Sequence, residues 1–237
     1  MPQRKAAKAS KVVKAVKATR TAKAASSVAP SASGPGNWSA SSIPSTPFME
    51  PAGIKLLKKR LAGVRTYLEY GSGGSTVMAA KADIRRIYSV DTDKQFLGAV
   101  RRRLVDEGLP RRRHVPVYVD IGPTGAWGRP RDESHATQWP RYCGEPWRKL
   151  RTAGDTPELI LIDGRFRVAA FLMSVLMAQP GCVVLFDDYF IRPYYHVVEQ
   201  HLAPSRQAGR MAEFIVQPLA DREQALFDLL AYSTDSR

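Results

Sequence analysis

Residues 66–93 constrain the fold of this chain most strongly, because a glycine-rich turn lies there between two strand-like runs. The first run ends at Glu69, and the turn that follows, residues 71–76, reads Gly-Ser-Gly-Gly-Ser-Thr. A small-residue helical segment and a second β-rich run come next, and the second run closes on Asp91. Glycine lets the backbone turn sharply and approach a neighbour closely, because it has no Cβ atom. The order strand, glycine turn, helix, strand predicts a parallel βαβ unit.

The turn and the acid after the second strand indicate that this unit binds a nucleotide. The helix that begins in the turn offers unpaired N–H groups to polar ligand atoms, and Ser75 or Thr76 is the predicted cap. Asp91 lies 20 residues after Gly71, about the spacing at which such an acid meets a ribose. A dinucleotide fingerprint would need a third glycine at position 76. Thr76 therefore disfavours a nicotinamide-dependent oxidoreductase, and a plain α/β turn that binds no ligand is the remaining alternative.

The run from Glu69 to Ser75, Glu-Tyr-Gly-Ser-Gly-Gly-Ser, resembles motif I of class I S-adenosylmethionine (SAM)-dependent methyltransferases, E/D-x-G-x-G-x-[ST]. This resemblance implies a doubly wound, Rossmann-like α/β sheet and SAM as the cofactor. It covers residues 50–200, whereas the usual closing β-hairpin of the family is not evident near the C-terminus. The cofactor contacts that it implies, including an adenine contact after the third predicted strand, are Glu69, Gly71, Ser72, Gly73, Ser75, Asp91 and Asp120.

Three further carboxylates follow the fourth and fifth predicted strands. Asp163 ends the fourth strand, and Asp187 and Asp188 end the fifth. The carboxyl ends of parallel strands meet at one edge of a sheet, so these acids repel one another unless a cation or a proton lies between them. One hypothesis is that all three hold a hard divalent ion such as Mg²⁺. The set resembles the metal-dependent O-methyltransferases of the catechol and caffeoyl-CoA type, although Asp188 stands where that family has Asn.

Two other interpretations of these acids remain open. The strings Ile-Asp-Gly and Phe-Asp-Asp-Tyr around them also resemble broader bacterial methyltransferases, which implies Asp163 or Asp187 as a metal-free general base. His196, in the segment after the fifth strand, is the best-placed histidine for acid–base catalysis. The third interpretation is structural and pairs Asp188 with a nearby arginine, of which the sequence offers Arg165, Arg167 and Arg192.

Residues 122–151 show no periodicity, and a loop of this length inside a domain is usually functional. We predict that substrate specificity resides there. The aromatic side chains of this loop are Trp127, Trp139, Tyr142 and Trp147. They either line an acceptor pocket or fix the loop to the body of the domain, and both interpretations remain open.

The N-terminal part of the chain is basic and lacks a hydrophobic pattern. Residues 1–49 hold eight Lys/Arg and no acid, which accounts for more than half of the net charge of +14. The cations recur every third residue and would spread around a helix, so no apolar stripe for a membrane remains. We predict a disordered tail over residues 1–46 and one folded domain over residues 47–237. An anchor to nucleic acid or another polyanion, a solvated tail and an organelle transit peptide remain open as its role.

These observations together predict a cytoplasmic SAM-dependent methyltransferase that acts on a hydroxyl-bearing small molecule. No apolar run approaches the ~18 residues that a membrane span needs, and no secretory signal is evident. The alternative is a catalytically silent scaffold with the SAM fold, which associates with nucleic acid or another polyanion through the basic tail. The sequence does not identify the acceptor.

Overall fold

Seven strands and six α-helices make up the part of the chain that the computed structural model describes, residues 36–237. The strands are β1 (Thr66–Tyr70), β2 (Arg86–Asp91), β3 (His114–Tyr118), β4 (Leu159–Ile162), β5 (Val183–Phe186), β6 (Arg206–Ala208) and β7 (Met211–Ile215). The helices are α1 (Pro51–Leu61), α2 (Gly74–Lys81), α3 (Lys94–Asp106), α4 (Arg141–Ala153), α5 (Arg167–Met177) and α6 (Arg222–Tyr232). None of these helices combines the length and the apolar character that crossing a membrane requires.

The strands form one mixed sheet in the order β3-β2-β1-β4-β5-β7-β6. The first five strands in that order are parallel, and β1 lies at their centre, where Tyr67 pairs with Ile87 of β2 and with Leu159 of β4. The chain runs outward from β1 to β3 and then returns to place β4 on the other side of β1. Ligands of open α/β sheets bind at such a reversal, beyond the carboxyl ends of the strands. The predicted Rossmann-like fold is therefore confirmed.

Alternate residues of the central strands face two separate hydrophobic cores. Leu68 and Tyr70 of β1 point into one core, which α4 and α5 cover with large side chains such as Phe171. Tyr67 points into the other core, where Leu57 of α1 packs with residues of α2 and α3. This period of two is what a sheet with helices on both faces requires. The sheet is thereby fixed from both sides, and its carboxyl edge stays open for a site.

The closing β-hairpin, which is not evident in the sequence, is present. Strands β6 and β7 pair in antiparallel fashion, and β7 adds antiparallel to β5. Gly209 has a φ of +61° in the tight connection, a left-handed conformation that glycine adopts without strain. The hairpin escapes a periodicity search because β6 has only three residues, of which Arg206 and Gln207 are exposed.

Residues 36–49 form an irregular segment with one 3₁₀ turn, Ala40–Ser42, that packs against α2 and α3, and we call it the N-terminal strap. The Trp38 ring packs edge-on against Phe96 with 5.1 Å between the ring centroids, and its Nε1–H donates to Asp93 at 2.8 Å. Ile43 is fully buried. Trp38 and Ile43 thus pack against the domain although they precede the predicted boundary at residue 47. Of the predicted disordered tail, residues 1–46, the first 35 lie outside the described residues.

The segment 122–151 is only partly a loop, since its C-terminal third, from Arg141 onward, forms most of α4. Trp139, Tyr142 and Trp147 are buried, and the Trp147 Nε1–H donates to the Tyr70 hydroxyl at 2.9 Å. Three of the four aromatic side chains therefore hold the segment against the sheet. Only Trp127 differs, because 57% of its surface is exposed.

Candidate functional site

A cavity of about 850 Å³ opens at the carboxyl ends of β1, β2 and β4, at the reversal in strand order. Its volume lies within the ~300–1,000 Å³ that is typical of small-molecule sites. The glycine-rich turn forms its floor, the N-terminal strap forms one wall, and the segment that follows β3 forms another. Of the residues predicted from the sequence, the cavity wall includes Gly71, Ser72, Gly73, Ser75, Asp91 and Asp163.

The floor of the cavity depends on glycine at two positions of the turn. Gly71 has a φ of +94° and lies so close to the segment after β4 that a methyl group on it would come within 3.0 Å of the Gly164 nitrogen. Gly74, which opens α2, lies directly under the strap, and a methyl group there would overlap the carbonyl group of Thr46. The backbone of the turn is therefore held between two other backbone segments, at distances that only glycine allows.

Glu69 lies behind the glycine-rich turn and is not part of the cavity wall. The direct contact with the cofactor that the sequence predicted for this residue is therefore not supported by its position. The side chain is fully buried and accepts hydrogen bonds from Tyr67 at 3.1 Å, Ser89 at 2.6 Å and the Thr76 hydroxyl. Thr76 in turn accepts the Gly73 N–H at 3.0 Å. Burial raises the pKa of Glu69 to about 7. The residue in place of a third glycine thus ties the turn to a buried carboxyl.

Asp91 lies at the end of β2 and lines the cavity, as the ribose hypothesis requires. Its Oδ2 accepts from the Ser72 hydroxyl at 2.7 Å, and its Oδ1 accepts from the Thr92 N–H at 2.8 Å. These bonds fix the orientation of the carboxylate, while burial raises its pKa. The result is a pre-oriented hydrogen-bond acceptor beside the glycine-rich turn.

Two predicted site residues lie away from the cavity. Asp120 is exposed after β3, where its Oδ1 accepts from the Gly122 N–H at 3.0 Å, and it is not part of the cavity wall. His196 stacks on Tyr189 with 4.8 Å between the ring centroids, and its Nε2 donates to the Tyr189 carbonyl oxygen at 3.2 Å. The histidine therefore packs against the segment after β5 and is not part of the cavity wall, so its predicted role in acid–base catalysis gains no support from this geometry. The adenine contact predicted for Asp120 gains no support from this geometry.

Arginine side chains supply the positive charge that Asp187 and Asp188 need. Asp187 accepts from Arg210 at 2.7 Å, and Asp188 forms ion pairs with Arg167 at 3.3 Å, Arg192 at 2.9 Å and Arg210 at 2.9 Å. Among residues 36–237, no group of three or more His, Cys, Asp and Glu side chains is placed to hold a metal ion. The predicted Mg²⁺ site on these acids and Asp163 is therefore corrected to an arginine–carboxylate cluster. The structural interpretation of Asp188 is confirmed.

Of the three acids, only Asp163 lines the cavity. Its Oδ1 accepts from Arg167 at 3.2 Å, while its Oδ2 has no hydrogen-bond partner in the described part of the chain. Burial raises the pKa of Asp163 to about 7, with Arg167 opposing this shift and Asp187 contributing to it. A carboxyl group with such a pKa and a free oxygen is suited to accept a proton at neutral pH. Asp187 is buried and pairs with Arg210, which itself lines the cavity.

Several wall residues could not be found from the sequence. Arg210 lies in the tight connection between β6 and β7, and its Nη2 also donates to the Phe48 carbonyl oxygen at 3.2 Å. Phe48, which no pattern indicated either, faces Trp127 of the predicted aromatic loop at the mouth, with 6.3 Å between the ring centroids. The only signal for the strap was Trp38, an isolated tryptophan within an Ala/Ser/Pro-rich stretch. No pattern indicated Arg210.

Comparison with known proteins places this geometry in a family. No protein-family model matches the chain, and no curated protein matches it. Among solved structures, the chain is similar to a methyltransferase-like protein of Silicibacter pomeroyi DSS-3, with 33% sequence identity and a TM-score of 0.72 over 81% of this chain and 100% of that one. It also resembles a methyltransferase from Geobacter sulfurreducens, with 14% identity and a TM-score of 0.48 over 71% of this chain and 82% of that one. Because a third of the residues are shared over the whole of the first relative, this chain belongs to the class I SAM-dependent methyltransferases.

Proposed function

We propose that the chain binds SAM in the cavity and transfers its methyl group to a hydroxyl-bearing small molecule. The observation that carries this proposal is the position of three groups around one cavity: the glycine-rich turn, the carboxylate of Asp91 and the free oxygen of Asp163. The first two suit a nucleoside-containing donor, and the third suits an acceptor that loses a proton. Membership of the methyltransferase family joins the two halves into one reaction.

On the donor side, the residues of the chain bind and orient. When bound, SAM supplies a methyl group that its sulfonium already makes electrophilic. Asp91 is oriented by its own backbone and by Ser72 to accept from the hydroxyl groups of a ribose. The N–H groups at the start of α2, where Gly74 and Ser75 line the cavity, suit the polar end of the ligand. The strap covers this floor, so that water is excluded from the turn once the site is filled.

On the acceptor side, Asp163 is the group that we assign to proton removal. Its Oδ2 is free, whereas the cavity-lining Asp91 and Asp93 are each held by backbone N–H groups. A general base within hydrogen-bond reach of an acceptor hydroxyl takes up its proton as the oxygen attacks the methyl group. The remaining contribution of the protein is to hold donor and acceptor in line.

Calorimetric titration of S-adenosylhomocysteine (SAH) into the full chain tests the donor half of this proposal. We expect saturable binding that weakens at least about tenfold in Asp91→Asn, because a hydrogen bond to a charged group contributes ~1.5–3 kcal/mol. Asp106→Asn is the matched control, since Asp106 is exposed at the end of α3 and far from the cavity wall. Absence of SAH binding, or equal binding by both variants, would contradict the assignment of the cavity.

A further inference from the structure

Arg165 is the one cavity-lining cation for which the described residues provide no acidic partner. The residue is only 8% exposed, and its Nε atom is buried without a hydrogen-bond partner in residues 36–237. A buried charged group without a partner is costly, so such a group usually meets its counterpart in a ligand. Burial and the neighbouring Arg167 both lower the pKa of Arg165, yet an arginine remains protonated at neutral pH. The guanidinium of Arg165 is therefore a positive charge in the cavity wall that no acidic side chain of the described residues pairs with.

The backbone after β4 determines where this charge points. Phe166 adopts a left-handed conformation with a φ of +53° although its ring is fully buried, a strained state for a bulky residue. Its ring packs on Tyr142 and Trp139 at 5.3 Å and 5.7 Å between centroids, which holds the turn in place. The residues on either side of Phe166 are thereby separated. Arg167 turns inward, while Arg165 joins the cavity wall.

Arg167 and Arg210, unlike Arg165, are already neutralised by acidic side chains. Arg167 donates to the carbonyl oxygens of Asp163 and Asp187 and pairs with Asp188, and Arg210 is paired with both Asp187 and Asp188. Arg165 contributes only its backbone N–H, which donates to the Tyr142 hydroxyl at 3.4 Å.

The acids on the cavity wall have partners of their own. Asp91 and Asp93 are held by backbone N–H groups, Glu50 accepts from the Arg210 N–H, and Asp163 is paired with Arg167. No acidic side chain of the wall is therefore left for Arg165.

Two exposed aromatic rings lie at the mouth of the same cavity. Phe48 is 54% exposed and Trp127 is 57% exposed, although large aromatic side chains are normally buried. Trp127 also has a φ of +60°, a left-handed conformation that is uncommon for a bulky residue. The neighbouring Gly128 lies against the aliphatic part of Arg165, since a methyl group on Gly128 would be 3.9 Å from the Arg165 Cγ atom. The aromatic rim and the unpaired guanidinium therefore belong to one surface.

We propose that Arg165 binds an anionic group of the methyl acceptor, a carboxylate or a phosphate, while an apolar part of the acceptor packs against Phe48 and Trp127. This inference rests on the proposed function and adds the chemical class of the acceptor to it. The guanidinium offers a planar fork of N–H donors that matches either anion in a bidentate manner. The acceptor is accordingly an amphipathic hydroxylated acid.

The test measures the affinity of three small probes for the full chain saturated with SAH: benzoate, phenyl phosphate and the neutral analogue benzamide. We expect at least one of the two anions to bind about tenfold or more tightly than benzamide, and the stronger of the two identifies the kind of anion. In Arg165→Met this preference disappears, whereas Arg165→Lys retains part of it. Arg129→Met is the matched control and keeps the preference, because Arg129, next to Gly128 in the segment after β3, is an exposed cation near Arg165 but outside the cavity wall.

Two outcomes would overturn the inference. One is equal affinity for the anions and benzamide in the natural chain, or an anion preference that Arg165→Met leaves intact. The other is a loss of SAH binding in Arg165→Met without a loss for 5′-methylthioadenosine, which would assign Arg165 to the carboxylate of the cofactor. Thermal unfolding of each variant controls for folding. SAH affinity is recorded separately from probe affinity, so failure of the donor site and failure of the anion site are distinguishable.

Discussion

The buried carboxyl of Glu69 stabilises the glycine-rich turn through hydroxyl groups and not through the ligand. Thr76 links it to the Gly73 N–H, and Ser89 of the adjacent strand provides a second donor. Sequence resemblance identified the importance of this acid but assigned it a contact with the cofactor. The difference has a consequence that binding measurements can detect, because a group behind the turn affects every ligand of the turn alike.

We predict that Glu69→Gln weakens binding of SAH and of 5′-methylthioadenosine by the same factor, about threefold to tenfold. The amide keeps the volume of the side chain but replaces one acceptor oxygen by a donor, so one hydroxyl contact of the network is lost. Calorimetry with both ligands measures the two factors. A direct contact between Glu69 and the amino-acid end of the cofactor would instead weaken SAH alone, since 5′-methylthioadenosine lacks that end.

The proposed role of Asp163 as general base predicts that methyl transfer depends on pH. Burial raises the pKa of this carboxyl group to about 7, and a general base is active in its ionised form. We therefore expect the rate with a hydroxylated acceptor to rise as the pH increases from about 6 to 8 and then to level off. Asp163→Asn should lower kcat by about 10²-fold or more and remove this rise, while SAH affinity changes less than threefold. A rise that persists in the variant would assign the proton transfer to another group.

At the scale of elements, the N-terminal strap and α2 form one unit. The carbonyl group of Thr46 lies where a side chain at Gly74 would be, so only glycine lets the strap cross the start of the helix. Gly→Ala inside a helix normally increases stability by ~0.5–1 kcal/mol. We predict that Gly74→Ala instead displaces the strap and weakens SAH binding about tenfold.

Gly98→Ala in α3 is the matched control for this substitution. A methyl group on Gly98 would have the Arg102 Nη1 atom at 3.5 Å as its nearest contact, which is an ordinary van der Waals distance. This variant should keep its SAH affinity and gain thermal stability. Calorimetry and thermal unfolding of the two variants provide the comparison. Unchanged SAH affinity in Gly74→Ala would show that the strap does not contribute to the donor site.

The elements that the sequence predicted are those with a local pattern. The central strands have buried apolar runs, and α3 has an apolar face of Leu97, Val100 and Leu104 that is followed by Gly108, so both follow from local sequence pattern. The strap lacks such a pattern because its order depends on two distant contacts, the Trp38 ring on Phe96 and the burial of Ile43. The hairpin is not evident in the sequence because β6 is short and exposed, and Arg210 gains its role only when the fold brings it to Asp187. Long-range pairing of this kind leaves no trace in spacing.

At the scale of the whole molecule, the basic N-terminal residues and the residues of the cavity wall lie in different parts of the chain. Removing residues 1–35 takes away eight cations and lowers the net charge from +14 to +6, but it leaves the strap intact. Removing residues 1–49 takes away the strap as well, including Trp38 and Phe48 of the cavity wall. These two deletions therefore distinguish the contribution of charge from that of the site.

We predict that the chain without residues 1–35 binds SAH within twofold of the full chain but elutes from heparin at lower salt, because affinity for a polyanion falls as cations are removed. The chain without residues 1–49 should bind SAH at least about tenfold more weakly and unfold at a lower temperature, because its buried Ile43 is lost. Calorimetry, heparin chromatography and thermal unfolding measure these effects. Loss of methyl transfer in the first deletion despite intact SAH binding would instead favour a protein whose activity depends on a polyanion held by the tail.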